Sequence, residues 1–124
     1  MPELLAAGLD VRVRAVPNRS LSGDAAYLAS VVRAVDGPVV LVGHSYGGAV
    51  IAVAGVEENV PALWGAVSTS DRTVNPDVER FGYQWAGTTT VEIDSSHLVM
   101  LSHPVEVAGA IREAAAARWR PPRW

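Results

Sequence analysis

Apolar and polar positions along the chain fall into short pieces with two different periods. From Leu9 to Val16, Val11, Val13 and Ala15 alternate with Arg12 and Arg14 until Pro17-Asn18 breaks the run. A period of two predicts a strand, and its polar face predicts an edge or thinly covered position. Leu21, Ala25, Leu28, Val31, Val32 and Val35 then recur at helical spacing, with Ser22-Gly23-Asp24 suited to cap the start and Asp36-Gly37-Pro38 to end it. Val39-Val40-Leu41-Val42 has no polar face, the pattern of a strand buried on both sides of a parallel sheet. After Gly43-His44-Ser45-Tyr46-Gly47-Gly48, the small apolar series Ala49 to Val56 predicts a helix packed closely on that sheet.

The second half continues the alternation. Ala62 to Ser68 predicts a third strand. Pro76 opens a helix through Asp77, Val78, Phe81 and Trp85, since proline suits a first helical turn. Thr88 to Ile93 is rich in Thr and Val and predicts a fourth strand. A last helix begins near Pro104 and runs through Val107, Ile111 and Ala114 to about Arg118. Arg120-Pro121-Pro122-Arg123-Trp124 cannot continue it, so residues 119–124 are expected to form a flexible tail. Strand and helix alternating in this way predict one α/β domain over residues 1–118: a mostly parallel sheet of about four strands with helices on both faces.

Composition narrows the function classes. With 124 residues, 49% apolar and 19% charged, the chain can bury one core and is not disordered in character. Its net charge is −3, its ten basic residues are all arginine, and no basic run offers a footprint for nucleic acid. Without cysteine there can be no disulfide, thiolate metal ligand or cysteine nucleophile. No apolar stretch reaches the length of a membrane span, and Met1-Pro2-Glu3-Leu4-Leu5 lacks the basic-then-apolar order of a signal peptide. A cytoplasmic location is the expectation.

The strongest chemical signal is Gly43-His44-Ser45-Tyr46-Gly47, a G-x-S-x-G between a strand-like run and a helix-like one. A chain that reverses there forces Ser45 into a strained backbone and exposes its hydroxyl, while glycines two before and two after relieve the crowding. The backbone N–H of Tyr46, at the start of a helix, could then stabilise an oxyanion. A serine hydroxyl needs a base and an orienting acid. Of three histidines, His44 lies inside the elbow and suits a packing or hydrogen-bonding role, and His103 precedes Pro104 in a capping position. His97, after the fourth strand, is the base that fits. The acid should follow a strand between serine and histidine, as Asp71 does in Ser68-Thr69-Ser70-Asp71-Arg72-Thr73. Asp94 remains its competitor, whereas Asp77 suits a first helical turn.

At these residues the chain resembles the α/β-hydrolase superfamily, in particular its small bacterial esterase-like members. Residues 37–48 at the elbow, 68–76 at the acid turn and 93–104 at the histidine loop carry the likeness, in the order Ser, Asp, His. The resemblance implies nucleophile Ser45, acid Asp71, base His97 and an oxyanion donor at Tyr46, with no cofactor or metal required. It also implies parts for which this stretch has no counterpart. These are amino-terminal strands with a second oxyanion donor ahead of Met1, and a strand and lid near Asn59-Val60-Pro61. The expected function is a serine hydrolase of small carboxylic esters acting through an acyl-enzyme. A lyase using the same triad is a second enzymatic option. The alternative from another class is a catalytically impaired, shortened hydrolase acting as a binding or assembly module. Trimmed sheet edges and Trp64, Trp85, Trp119 and Trp124 without a lid predict a homodimer or larger even assembly. Trp64, Tyr83 and Trp85 could line a pocket, although aromatic residues at such spacing are more often core.

Overall fold

Helix-forming stretches dominate the chain. The computed structural model describes residues 2–60, 64–85 and 87–117, and among them are six helices and one pair of strands. In chain order these are α1 (Pro2–Ala6), α2 (Leu21–Arg33), α3 (Tyr46–Ala54), β1 (Trp64–Ser68), α4 (Pro76–Trp85), β2 (Thr89–Ile93), α5 (Val99–Ser102) and α6 (Pro104–Ala116).

Local chemistry explains where the helices begin and stop. Ser20, in extended backbone, caps α2: its hydroxyl accepts from the Gly23 N–H at 3.1 Å. The cap thus lies two residues earlier than Ser22. At the other end Asn59 Nδ2 donates to the carbonyls of Val32 (2.9 Å) and Val35 (3.2 Å), groups that a helix end cannot satisfy by itself. Pro76 opens α4 and Pro104 opens α6, as their fixed φ favours. The short helices α1 and α5 carry too few periodic positions to be anticipated.

The core is small and built mainly of alanine and valine. α2 turns Ala25, Ala29 and Val32 inward and packs on α3, which buries Val50 and Ala54. α6 buries Ala108 and Ala114 and packs on β1 and on α1, whose Leu4 is also buried. Val67 of β1 and Ile93 of β2 are buried as well.

The expected sheet of about four strands is not what forms. β1 and β2 pair in parallel, from Trp64↔Thr89 to Ser68↔Ile93, with α4 as the crossover between them. Residues 9–16 and 39–42 carry no strand. The physical reason is the lack of a ladder. Among the described residues, the backbone bonds of these runs come down to Leu9 N–H to Leu4 O and Val39 N–H to Asn59 O. β-branched composition favours a strand only when a neighbour supplies the pairing and the packing. Val42, expected between two helix layers, is instead 60% exposed. Residues 61–63, the start of the expected third strand, and 118–124, with Trp119, Trp124 and the expected tail, lie outside the described residues.

Candidate active site

The register of the two strands decides which loops meet. β1 and β2 run parallel and in step, so the turn after Ser68 and the turn after Ile93 leave the sheet side by side. The pairing continues past the strands through Thr69 N–H to Ile93 O (3.0 Å) and Ser70 N–H to Ser95 O (3.1 Å). Partners differ by 25 positions in the ladder. Residues a few steps further on, near 71 and 97, are therefore brought together by the register itself.

Asp71 and His97 do meet. His97 donates from Nδ1 to Asp71 Oδ2 at 2.7 Å. The Asp71 side chain is 2% exposed and that of His97 20%. The other oxygen, Oδ1, accepts the backbone N–H groups of Thr73 (2.7 Å) and Val74 (3.1 Å), which fixes the carboxylate within its turn. Burial pushes the Asp71 carboxyl up, but the His97 bond, the two amides and the imidazole charge outweigh it and hold it below the usual range. With Nδ1 on the carboxylate, the lone pair of neutral His97 is left on Nε2, which has no hydrogen-bond partner among the described residues.

The competing acid faces elsewhere. Asp94 Oδ1 accepts from Ser70 Oγ (2.8 Å) and Thr69 Oγ1 (3.4 Å), so it ties the two loop starts together. Asp77 bonds Arg80 at 2.8 Å within the first turn of α4. The His97 loop is pinned from its far side by Ser95 Oγ against Ser102 Oγ (2.9 Å) and by buried Val99.

Ser45 lies directly before α3, as the elbow motif predicts, at φ 55° and ψ −121°, although residues 39–42 ahead of it form no strand. This backbone is strained for any residue with a Cβ, at a typical cost of about 1–3 kcal/mol. Gly47 N–H to His44 O (2.9 Å) and Gly48 N–H to Ser45 O (2.8 Å) close the turn. A side chain on Gly43 would overlap the Gly47 carbonyl, whereas one on Gly47 would meet nothing within 4 Å. Of the two motif glycines, only the first is demanded by space. Ser45 is exposed and its hydroxyl makes no hydrogen bond, to His97 or otherwise, among the described residues.

His44 links the elbow to the histidine loop. It donates from Nε2 to the His97 carbonyl at 2.7 Å, and the two imidazoles lie 4.5 Å apart, tilted by 53°. The elbow is thus held against the residue that carries the free Nε2. His103 bonds Ser102 Oγ at 2.9 Å and directly precedes α6, with no bond to Ser45, Asp71 or His97 among the described residues. Tyr46 opens α3 and turns its hydroxyl to Asp24 Oδ2 at 2.6 Å.

Two carboxylates near the site carry no sequence signal of their role. Asp24, in the first turn of α2, is 1% exposed and accepts the Tyr46 hydroxyl. Glu79, on the inner side of α4, has an enclosed Oε2 without a hydrogen-bond partner among the described residues. Burial and the charge of Asp71 raise its carboxyl above the usual range, against the pull of the Ser68 amide and of His97 and His44. Of the aromatic residues, Tyr83 lies against Gly65 of β1, and Trp85 is 85% exposed rather than lining a pocket or core. Two open concavities, of about 370 and 620 Å³, lie beside α2 at Arg12, Arg14 and Tyr27 and between residues 7–9 and α6. Neither borders Ser45, Asp71 or His97. Compared with family models, curated proteins and solved structures, the chain finds no match.

Proposed function

We propose that the chain is a serine hydrolase of small carboxylic esters, using the chemistry of the α/β-hydrolase esterases it resembles. The observation that carries this reading is the 2.7 Å bond from His97 Nδ1 to Asp71 Oδ2, beside a strained and exposed Ser45. In this reading Ser45 Oγ attacks the ester carbonyl while His97 Nε2 takes its proton. Asp71 holds the imidazole and balances the imidazolium charge. The Tyr46 N–H, at the first position of α3 and without a backbone acceptor among the described residues, would serve as the oxyanion donor. Collapse expels the alcohol, which receives the proton from His97. Water then attacks the acyl-enzyme with the same base, releasing the acid and restoring Ser45.

An exposed serine favours short acyl chains over selective binding of long ones. The absence of cysteine fits a cytoplasmic setting, and no helix among the described residues is long and apolar enough to cross a membrane. A second reading, a binding or assembly module with an idle triad, is favoured by one feature: Ser45 Oγ is not bonded to His97. Apo sites often close that bond only around substrate, so catalysis remains the leading reading. The test is turnover of p-nitrophenyl acetate together with labelling by a fluorophosphonate. We expect both in the native chain and neither in Ser45→Ala. A folded native protein that neither turns over nor labels would leave the module reading in its place.

A further inference from the structure

Two non-glycine residues among those described hold a left-handed backbone, Asn18 at φ 58° and Ser45 at φ 55°. One buried carboxylate reaches both places. Asp24, in the first turn of α2, is 1% exposed. Its Oδ1 accepts the backbone N–H of Asn18 at 3.1 Å, and its Oδ2 accepts the hydroxyl of Tyr46, the residue after Ser45, at 2.6 Å. We propose that Asp24 is a positioning residue for the elbow: through Tyr46 it holds the strained Ser45 turn and the adjoining backbone N–H in their working geometry. The proposal rests on the serine-hydrolase reading of that turn.

The reasoning is energetic. A left-handed serine persists only where its surroundings over-determine it. The turn's own two hydrogen bonds and the Gly43–Gly47 approach lie within the elbow and move with it. An anchor from outside is needed to fix the turn relative to the rest of the fold. His44 supplies one toward the histidine loop. Asp24 supplies the other, from α2, which packs along α3. Both carboxylate oxygens have a donor, so the buried group is rigid rather than frustrated. The hydrogen bond to Asp24, helped by burial and the carboxylate charge, also holds the Tyr46 phenol above its usual range. Asp24 touches no reacting atom, so it acts through Tyr46.

The experiment compares Asp24→Ala, Asp24→Asn and Tyr46→Phe with the native chain. The readouts are kcat and KM for p-nitrophenyl acetate, and hydrogen exchange at the Gly47 and Gly48 amides. We expect kcat to fall about 10- to 100-fold in Asp24→Ala, and less in Asp24→Asn, which keeps an acceptor for the phenol. KM should stay within about threefold, since ground-state binding is not the lost term. The two amides should exchange faster while β1–β2 ladder amides do not. If Asp24→Ala fails to fold, Tyr46→Phe must show the same kcat loss and amide release. A melting temperature that drops while kcat and both amides stay native would make Asp24 only a staple between helices, and would overturn the proposal. If the native chain turns over no ester, the hydrolase reading fails separately. The amide exchange then decides alone whether Asp24 holds the turn.

Discussion

Asp71 divides its oxygens between two tasks, and a substitution can separate them. Oδ1 shapes the turn and Oδ2 orients His97. Asparagine keeps one carbonyl oxygen but removes the charge that fixes the tautomer. We predict that Asp71→Asn lowers ester turnover by about three to four orders of magnitude. Asp94→Asn, which only loosens the tie to Ser70 and Thr69, should change it by less than about tenfold. Steady-state kinetics ranks the two, and the opposite order would transfer the orienting role. Asp71 and His97 are legible in sequence because each follows a β-type run and the chain order is right. Glu79 and Asp24 are not, because each looks like an ordinary acid in a first helical turn and its burial is decided by tertiary packing. Glu79 also gives a pH test. Its folded carboxyl is raised, so the stability it lends is full below the ordinary carboxylate range and is lost as pH rises through the folded value. Asp71 has the opposite sign: its contribution is present above the ordinary aspartate range and lost as pH falls through its lowered value. We predict that Glu79→Gln removes the decline in melting temperature on the rising-pH side and leaves the acid side unchanged. Thermal melts across about pH 3 to 8 check this, and an unaltered profile would contradict it.

At the scale of elements, the elbow works because backbone passes backbone. Gly43 has no room for a Cβ against the Gly47 carbonyl, and a carbonyl in a closed turn cannot step aside. We predict that Gly43→Ala costs about 1–3 kcal/mol of stability and abolishes fluorophosphonate labelling. Gly47→Ala, in open space within a helix, should be neutral or stabilising by up to about 1 kcal/mol. Denaturant titration with labelling separates them; equal damage from both would mean that the turn is not what confines Gly43. The helices α2, α3, α4 and α6 are legible because apolar periodicity marks their course and the prolines at 76 and 104 mark two of their starts, although the α2 cap is Ser20 and not Ser22. β1 and β2 are legible for a similar reason, as β-rich runs between breakers. Residues 9–16 and 39–42 mislead because period and composition describe how a strand would face its surroundings, not whether a neighbour exists to complete its ladder. Among the described residues these two runs form no ladder, and the sheet has two strands.

At the scale of the whole molecule, α4 is turned the other way from a typical amphipathic helix. Its inner side carries Glu79 and Tyr83 against β1, while Val78, Phe81 and Trp85, spaced three and four apart, form an apolar stripe in solvent. Arg80 holds this orientation from the flank, bonding Asp77 at 2.8 Å on its own helix and Glu92 of β2 at 2.7 Å. An aromatic stripe of this kind is costly to leave wet. The simplest cover is the same surface of a second copy, because a twofold contact needs only a self-complementary patch. We predict a homodimer or larger even assembly with α4 at the contact. Burying each large side chain would contribute about 1.5–3 kcal/mol, so Phe81→Ser with Trp85→Ser should weaken association by at least about a hundredfold. Both side chains are exposed, and neither contributes to the hydrogen bonds of the Asp71–His97 pair, so labelling of Ser45 should survive the change. Sedimentation velocity at micromolar concentration reads the assembly directly. A native chain that sediments as a monomer, or a double variant that still dimerises, would remove α4 from that role.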